Sequence, residues 1–340
     1  MKIAIIGAGA IGSVLGGLLA QAGLDVTLIG RQPHVSAINQ NGLALDGVLG
    51  SFMVRVRARE QLDFVPDLAI LAVKTQNLAV ATRENKPFIQ DATVLTLQNG
   101  MRADQMVAEI IGGEHLYSAV VLFGATFLEP GKVTYAMAGQ LVIGKAFGTP
   151  DPQTLQKLAV TLGQAIPTHT TTNISGAHWT KLIINENNAL PALTGLSLQE
   201  VNTLPELRTL SVLLMKETLT VFRAADIVPA SLPMLPIGVV KLLLSMPVVL
   251  AQVVPMLYSH RLGERAVLGS TLQSVKRGEK TEIDYLNGEV VALGERTGTP
   301  TPYNTAIVEL VHQVEDQHQF VSVKHLLATL HERRLRLRLS

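Results

Sequence analysis

A lysine and two asparagines stand at positions 181, 185 and 188, at spacings of four and three that put all three on one face of an α-helix. Their neighbours Leu182, Ile183 and Ile184 are apolar, so polar heads there are costly unless they have partners or a task. A lysine so placed can deliver a proton to a ketone oxygen, and asparagine amides can hold substrate hydroxyls. The competing reading is a solvated polar stripe. Two more polar groupings lie downstream, at Gly269 to Gln273 and at Lys280 to Tyr285.

A second kind of chemistry is written at the N-terminus. The largely apolar run Met1 to Ile6 reads as a strand covered on both faces. Gly7, Ala8, Gly9, Ala10, Ile11 and Gly12 follow at once, then a helical pattern through Leu19, a stop at Gly23 and a strand-like Asp25 to Ile29. Strand, glycine loop, helix and strand in that order make a dinucleotide-binding unit. In this reading Gly7 permits the turn, Gly9 lets a pyrophosphate approach the backbone, and Gly12 lets helix and strand pack closely. The helix N-terminus offers unpaired N–H groups to the phosphates. An NAD site places an acid at the end of the second strand, but here Gly30 and Arg31 stand there. Gly30 is expected to leave room for a 2′-phosphate and Arg31 to bind it through its guanidinium, so the cofactor is expected to be NADPH.

These residues need a scaffold. Further strands are expected at Phe52 to Arg57, Leu68 to Val73, Thr93 to Leu97 and Ser118 to Leu122. Two of them run into polar residues, Lys74-Thr75-Gln76 and Gln98-Asn99-Gly100. In an open parallel sheet, ligands bind outside the carboxyl ends of the strands, so Lys74 and Asn99 are candidates to meet the cofactor and substrate. Beyond Gly144 strand signals fade: 153–165 reads as a helix, 166–172 as an extended link, and helical periodicity dominates from Ser175, with Gly298 ending a helix. The expected fold is α/β: a Rossmann-type doubly wound sheet over residues 1–172, then a mostly α-helical substrate-binding and catalytic domain over 173–340. The substrate is expected in the cleft between the two.

Composition narrows the partners. With 47% hydrophobic and 16% charged residues over 340 positions, the chain can bury more than one core. A net charge of +1 gives no electrostatic case for nucleic acid. The basic run Arg333, Arg334, Arg336 and Arg338 reads as a solvated tail. The sequence has no cysteine, which removes disulfides, thiolate metal sites and a cysteine nucleophile, and fits a reducing, cytoplasmic setting. The nine histidines show no ligand spacing, so no metal is expected. The apolar stretch 237–257 is nearly long enough to span a bilayer, but Lys241, Pro247, Gln252 and Pro255 interrupt it. Buried helices, or an apolar surface used in a homodimer or as a lid, are expected instead of a membrane span.

Taken together, GAGAIG at 7–12, Arg31, AVKTQ at 72–76, LQNG at 97–100, WTKL at 179–182 and TEIDYLNG at 281–288 resemble the ketopantoate reductase (2-dehydropantoate 2-reductase) family over nearly the whole chain. The resemblance implies hydride transfer from NADPH to the 2-ketone of 2-dehydropantoate, giving (R)-pantoate for pantothenate and coenzyme A synthesis. It implies Lys181 as general acid and Glu282 as the carboxylate that holds a substrate hydroxyl and supports the lysine. Ser270, Asn185 and Asn188 are implied as substrate-binding residues, Asn99 and Lys74 as residues beside the nicotinamide. The family often spaces its two asparagines four apart after the lysine. Here position 189 is Ala, and the second amide, Asn188, is rotated by about 100° on an α-helix. A reductase of another 2-keto acid, or a 3-hydroxy-acid-type dehydrogenase on the same plan, stands as the alternative. A nucleotide sensor without chemistry is opposed by the presence of Lys181 and Glu282.

Overall fold

A computed structural model of the chain describes residues 1–233, 235–261 and 268–330. The basic run Arg333, Arg334, Arg336 and Arg338 lies outside the described residues. Contacts divide the chain into two compact units, Met1–Ser175 and Gly176–Ser340.

The first unit opens with β1 (Lys2–Ile6), α1 (Ala10–Gln21) and β2 (Asp25–Ile29), followed by α2 (Gln32–Asn41). Next come β3 (Leu43–Gly47), β4 (Phe52–Val54) and β5 (Arg57–Arg59). Strand and helix then alternate through β6 (Leu68–Leu71), α3 (Thr75–Ile89), β7 (Thr93–Thr96), α4 (Ala103–Ile111) and β8 (Leu116–Val121). The unit closes with β9 (Gly124–Glu129), β10 (Lys132–Met137), β11 (Leu141–Lys145), α5 (Pro152–Gly163) and β12 (Thr168–Thr170). The large sheet has the order β12-β11-β8-β7-β6-β1-β2-β5. Its pairs are parallel except β8 with β11. The chain leaves β1 for β2 on one side and later returns to place β6 on the other, so the switch point lies between β1 and β6. Apart from Lys2 at the start of β1, the inner strands β1, β6 and β8 are buried along their length, as strands covered on both faces are.

A smaller sheet, β4-β3-β10-β9, is absent from the sequence reading. It covers the outer face of α1, which is buried from Gly12 to Leu19. Gly16 and Gly17 make this possible. A Cβ on Gly16 would lie 2.5 Å from Leu28 Cδ2 on the large sheet, and one on Gly17 would lie 3.0 Å from Leu43 Cδ2 on the small one. The small sheet also corrects one expectation. Phe52 to Arg57, read as one strand, is two: β4 pairs with β3 in the small sheet and β5 with β2 in the large one. Sequence alternation carries straight through this stretch, and only the pairing partners distinguish its halves.

The second unit is helical, beginning within α6 (Ile174–Asn185) and running through α7 (Ala189–Thr194), α8 (Leu198–Thr203) and α9 (Pro205–Ala224). The apolar stretch forms α10 (Ile237–Ser245), α11 (Val248–Ala251) and α12 (Val253–Arg261). Pro247 forces Met246 into an extended conformation and ends α10. Among the described residues, no helix is long and apolar enough to cross a membrane. α13 (Ser270–Lys276), α14 (Asn287–Thr297) and α15 (Pro302–Gln317) follow, and Gly298 closes α14 in the left-handed region at φ 66°. Leu190, Leu193, Leu214, Ile283, Leu310 and Val311 are among the core residues that join α7, α9 and α15 to the turn at Ile283–Tyr285.

Candidate active site

The glycine turn sits at the switch point of the large sheet. The Gly7 and Ala8 N–H groups both donate to Ile29 O at 2.9 Å, which pins the loop to the end of β2. Gly7 has φ 111°, and a Cβ there would lie 2.5 Å from the Val73 backbone nitrogen at the end of β6. A Cβ on Gly12 would lie 2.1 Å from Gly7 O, so the first turn of α1 can close against the loop only with glycine here. Gly9 is different: nothing lies within 4 Å of the position its Cβ would take. An open face over Gly9, at the N-terminus of α1, fits the approach of a dinucleotide pyrophosphate. Ala8, Ala10 and Ile11 complete the loop, with Ala8 buried.

Gly30 has another reason than the expected one. Its missing Cβ would lie 2.7 Å from Ala8 Cβ, so the space is taken by the glycine loop and is not left for a 2′-phosphate. Arg31 is exposed and N-caps α2 in an extended conformation. Three residues on, the buried His34 joins three elements. Its Nδ1 accepts from the Gly131 N–H at 2.9 Å, so its Nε2 carries the proton and donates to Ser13 Oγ at 3.0 Å. Burial holds its pKa below the ordinary histidine value, in keeping with a neutral ring. The sequence reading did not single out His34, because its partners lie 21 and 97 positions away.

Lys74 N-caps α3 at the end of β6, and Asn99 follows β7; both are partly buried. Gln98 brings the two strand ends together. Its amide donates to Leu71 O and Val73 O, both at 2.9 Å, and Thr75 Oγ1 donates to Asn99 O at 3.4 Å. Gln98 belongs to the LQNG stretch, yet its stitching role is visible only once β6 and β7 are neighbours.

In the second unit, α6 presents Lys181 between firmly held neighbours. Trp179 packs edge-to-face on Phe222 of α9 at 5.0 Å, worth about 1 kcal/mol beyond its burial. Thr180 Oγ1 contacts Gly176 O at 3.0 Å and Ala230 O at 2.6 Å, while Leu182 is buried. Lys181 itself is partly accessible at the surface, but burial of its ammonium pulls its pKa down to about 8. The Glu282 carboxylate acts in the opposite direction and keeps it from falling further.

α6 ends at Asn185, and Glu186–Asn188 form a 3₁₀ turn before α7. Pro191 has no N–H for the Asn187 carbonyl, which interrupts the α-helical ladder there. In a 3₁₀ turn residues three apart are eclipsed, so Asn188 stands over Asn185 more nearly than an uninterrupted α-helix allows. Asn188 Oδ1 lies 3.0 Å from where a Cβ on Gly269 would be, so the missing side chain admits this amide beside the start of α13. Ser270, the first residue of α13, is exposed. Behind the 3₁₀ turn, fully buried Glu186 accepts from Thr218 Oγ1 on α9. Its neighbour Glu217 accepts from the backbone N–H groups of Tyr303 and Asn304 at 3.0 and 2.8 Å. Among the described residues no cluster of His, Asp or Glu could hold a metal ion.

Dinucleotide-dependent oxidoreductases are built on this plan, and solved structures similar to this chain are of that class. Residues 3–148 match the family Ketopantoate reductase PanE/ApbA, and residues 173–315 match its C-terminal family. The chain therefore belongs to the ketopantoate reductase family. It is 31% identical to 2-dehydropantoate 2-reductase of Pyrococcus abyssi over 92% of this chain and 97% of that one. The crystal structure of a PanE/ApbA family ketopantoate reductase from Ralstonia eutropha JMP134 is 33% identical, with a TM-score of 0.77 over 93% of this chain and 99% of that one. D-mandelate dehydrogenase, solved with NADH and anilino(oxo)acetate, is 25% identical, with a TM-score of 0.80 over the same shares of the two chains.

Proposed function

We propose that this enzyme reduces the 2-ketone of 2-dehydropantoate to (R)-pantoate with NADPH, Lys181 being the general acid. The observation that carries the reading is the lysine whose pKa lies at about 8 under the opposed influences of burial and Glu282. A general acid works best when its pKa lies near the operating pH, and a solvated surface lysine does not meet that condition. The fold class, an oxidoreductase of the ketopantoate reductase family that uses a nicotinamide cofactor, is common ground with the relatives. NADPH over NADH, the residue roles and the cytoplasmic setting are our reading.

Residues 1–172 would bind the cofactor and the remainder would carry the acid and the substrate contacts. Gly7, Gly9 and Gly12 would cradle the pyrophosphate with Ala8, Ala10 and Ile11, and Arg31 would meet the 2′-phosphate. When bound, the nicotinamide supplies the hydride. As the ketone carbon accepts it, the carbonyl π pair moves to oxygen, and Lys181 gives its proton to that oxygen. Glu282 keeps the lysine charged until that moment and holds a substrate hydroxyl. Asn185, Asn188 and Ser270 orient the substrate, while Lys74 and Asn99 stand at the strand ends beside the cofactor. Water returns the proton to Lys181 between turnovers.

The test is cofactor oxidation with 2-dehydropantoate, run with NADPH, with NADH and with a Lys181→Ala variant. Turnover with NADPH, little with NADH and collapse in the variant support substrate, cofactor and acid together. Wild-type protein that binds NADPH but leaves this ketone unchanged sinks the substrate assignment. A bulkier 2-keto acid is the second reading. It is favoured by the likeness to D-mandelate dehydrogenase, solved with anilino(oxo)acetate.

A further inference from the structure

Glu282 lies on a short segment whose two sides are gripped from one helix. The Thr281 N–H donates to Glu315 Oε1 of α15 at 2.8 Å. Asp284 Oδ1 meets His312 Nε2 of the same helix at 2.9 Å. Between them Ile283 is fully buried in the core against α15. The grip is itself braced: His312 Nδ1 meets Glu315 Oε2 at 3.2 Å, and Lys280 Nζ reaches the same oxygen at 3.2 Å and Asp316 at 3.1 Å. The Glu315 side chain is only 3% exposed although it is a carboxylate, and it uses both oxygens in this cluster. With residues 281, 283 and 284 fixed in this way, Glu282 is left partly accessible and acts on the Lys181 ammonium.

We propose that His312 and Glu315 are positioning residues that act through Glu282, and that the doubly protonated imidazole of His312 completes the clamp. The inference rests on the reading of Lys181 and Glu282 as the acid and its support. Both ring nitrogens of His312 face carboxylates, and only the imidazolium can donate to both. Burial of the ring pulls its pKa down, but hydrogen bonds to Glu315 and Asp284 outweigh this and hold it above the ordinary histidine value. Among the described residues these two carboxylates are the charged groups hydrogen-bonded to the ring, Asp284 from the Ile283–Tyr285 turn and Glu315 from α15, while Glu309 and Asp316 stand one turn either side of it on α15. Lys280 and Asp316 meet the cluster at Glu315 and Lys280 respectively. Of the helices packed on α15, α9 brings Glu217, which is engaged with Tyr303 and Asn304 about two turns away. α14 brings Glu289, Glu295 and Arg296, and α7 has no titratable residue. When pH rises and the ring loses its proton, one arm of the clamp is lost, the Glu282 segment loosens, and Lys181 loses support for its charge.

The experiment is a double-mutant cycle of His312→Gln and Glu282→Gln, with kcat and KM measured across pH and folding checked by Tm. Displacement of a supporting group by a fraction of an ångström to 1 Å lowers kcat by about tenfold or more, and that loss is expected for His312→Gln. KM for NADPH should stay within about twofold, and in the Glu282→Gln background adding His312→Gln should cost less than about twofold. The basic limb of kcat/KM for the keto acid, expected near 8 in the wild type, should move to lower pH in His312→Gln. Glu315→Gln should move the same limb in the same direction. Full additivity of the two substitutions, or a lowered Tm with an unmoved limb, overturns the proposal and leaves the catalytic reading intact. Wild-type turnover in Glu282→Gln or Lys181→Ala overturns that reading and the proposal with it.

Discussion

Replacing Glu282 by Gln removes the charge that opposes burial at Lys181, and the consequence can be worked out in numbers. Lys181 stands at about 8 against the ordinary 10.5. The surroundings therefore disfavour its charged form by about 3 kcal/mol even with Glu282 present. Loss of a close opposite charge lowers a lysine's pKa by about one step of the pH scale or more, so the variant should fall to about 7 or below. In the proposed mechanism reduction needs the protonated lysine, so the loss must grow with pH. At about pH 6 nearly all Lys181 stays protonated in both proteins; at about pH 7.5 the protonated fraction falls about threefold, and at about pH 9 about tenfold. The assay is kcat/KM for the keto acid at saturating NADPH in buffers of constant ionic strength, which reads the lysine before the keto acid binds. Any loss of substrate holding by Glu282 adds a factor that is constant across pH, which separates it from the ionisation effect. A variant whose basic limb still lies near 8 refutes the claim that Glu282 sustains the ammonium.

Three further outcomes are expected. Arg31→Ala should raise KM for NADPH by about tenfold to a hundredfold, the worth of a charge-assisted pair of hydrogen bonds, and leave KM for NADH unchanged; equal effects on the two cofactors count against Arg31 as the 2′-phosphate ligand. Gly12→Ala places a Cβ 2.1 Å from a backbone oxygen that cannot swing aside. It should cost at least about 2 kcal/mol of stability and weaken NADPH binding, both readable by thermal melts with and without cofactor. Burial holds the Glu186 carboxyl well above its ordinary value, against the pull of the Thr218 hydrogen bond. A group with a raised folded pKa contributes its stability fully below its unfolded value and loses it as pH climbs through the folded one. Glu186→Gln removes that loss, so the Tm difference of variant minus wild type should grow from pH 5 to pH 8, and parallel Tm curves would contradict it.

Much of the candidate site was legible in the chain because its signals are local. Gly7, Gly9 and Gly12 sit within six residues, next to a run that can only be a buried strand, and the turn they form is set by sterics over a few bonds. Lys181 and Asn185 share a helix face by periodicity alone, and the glycine loop at the end of β1, the places of Lys74 and Asn99 at strand ends and the helical second half follow from patterns of that kind.

What the tertiary structure decided depends on partners far apart in sequence. The small sheet over α1 exists because β3 pairs with β10 across some ninety residues, and no alternation pattern encodes that partner. Gly30 looked like space for a phosphate, but the space belongs to Ala8, which approaches only after β1 and β2 pair. Asn188 was rotated back toward Asn185 by a 3₁₀ turn that Pro191 imposes and that Glu186 and Thr218 pack behind. The charge state of Lys181, and the hold of His312 and Glu315 on the segment bearing Glu282, come from burial and from contacts between elements. A sequence states which groups are available and how they repeat along a helix or strand. Dielectric environment and long-range pairing arise only when the chain closes on itself, and they determine which of those groups can do chemistry.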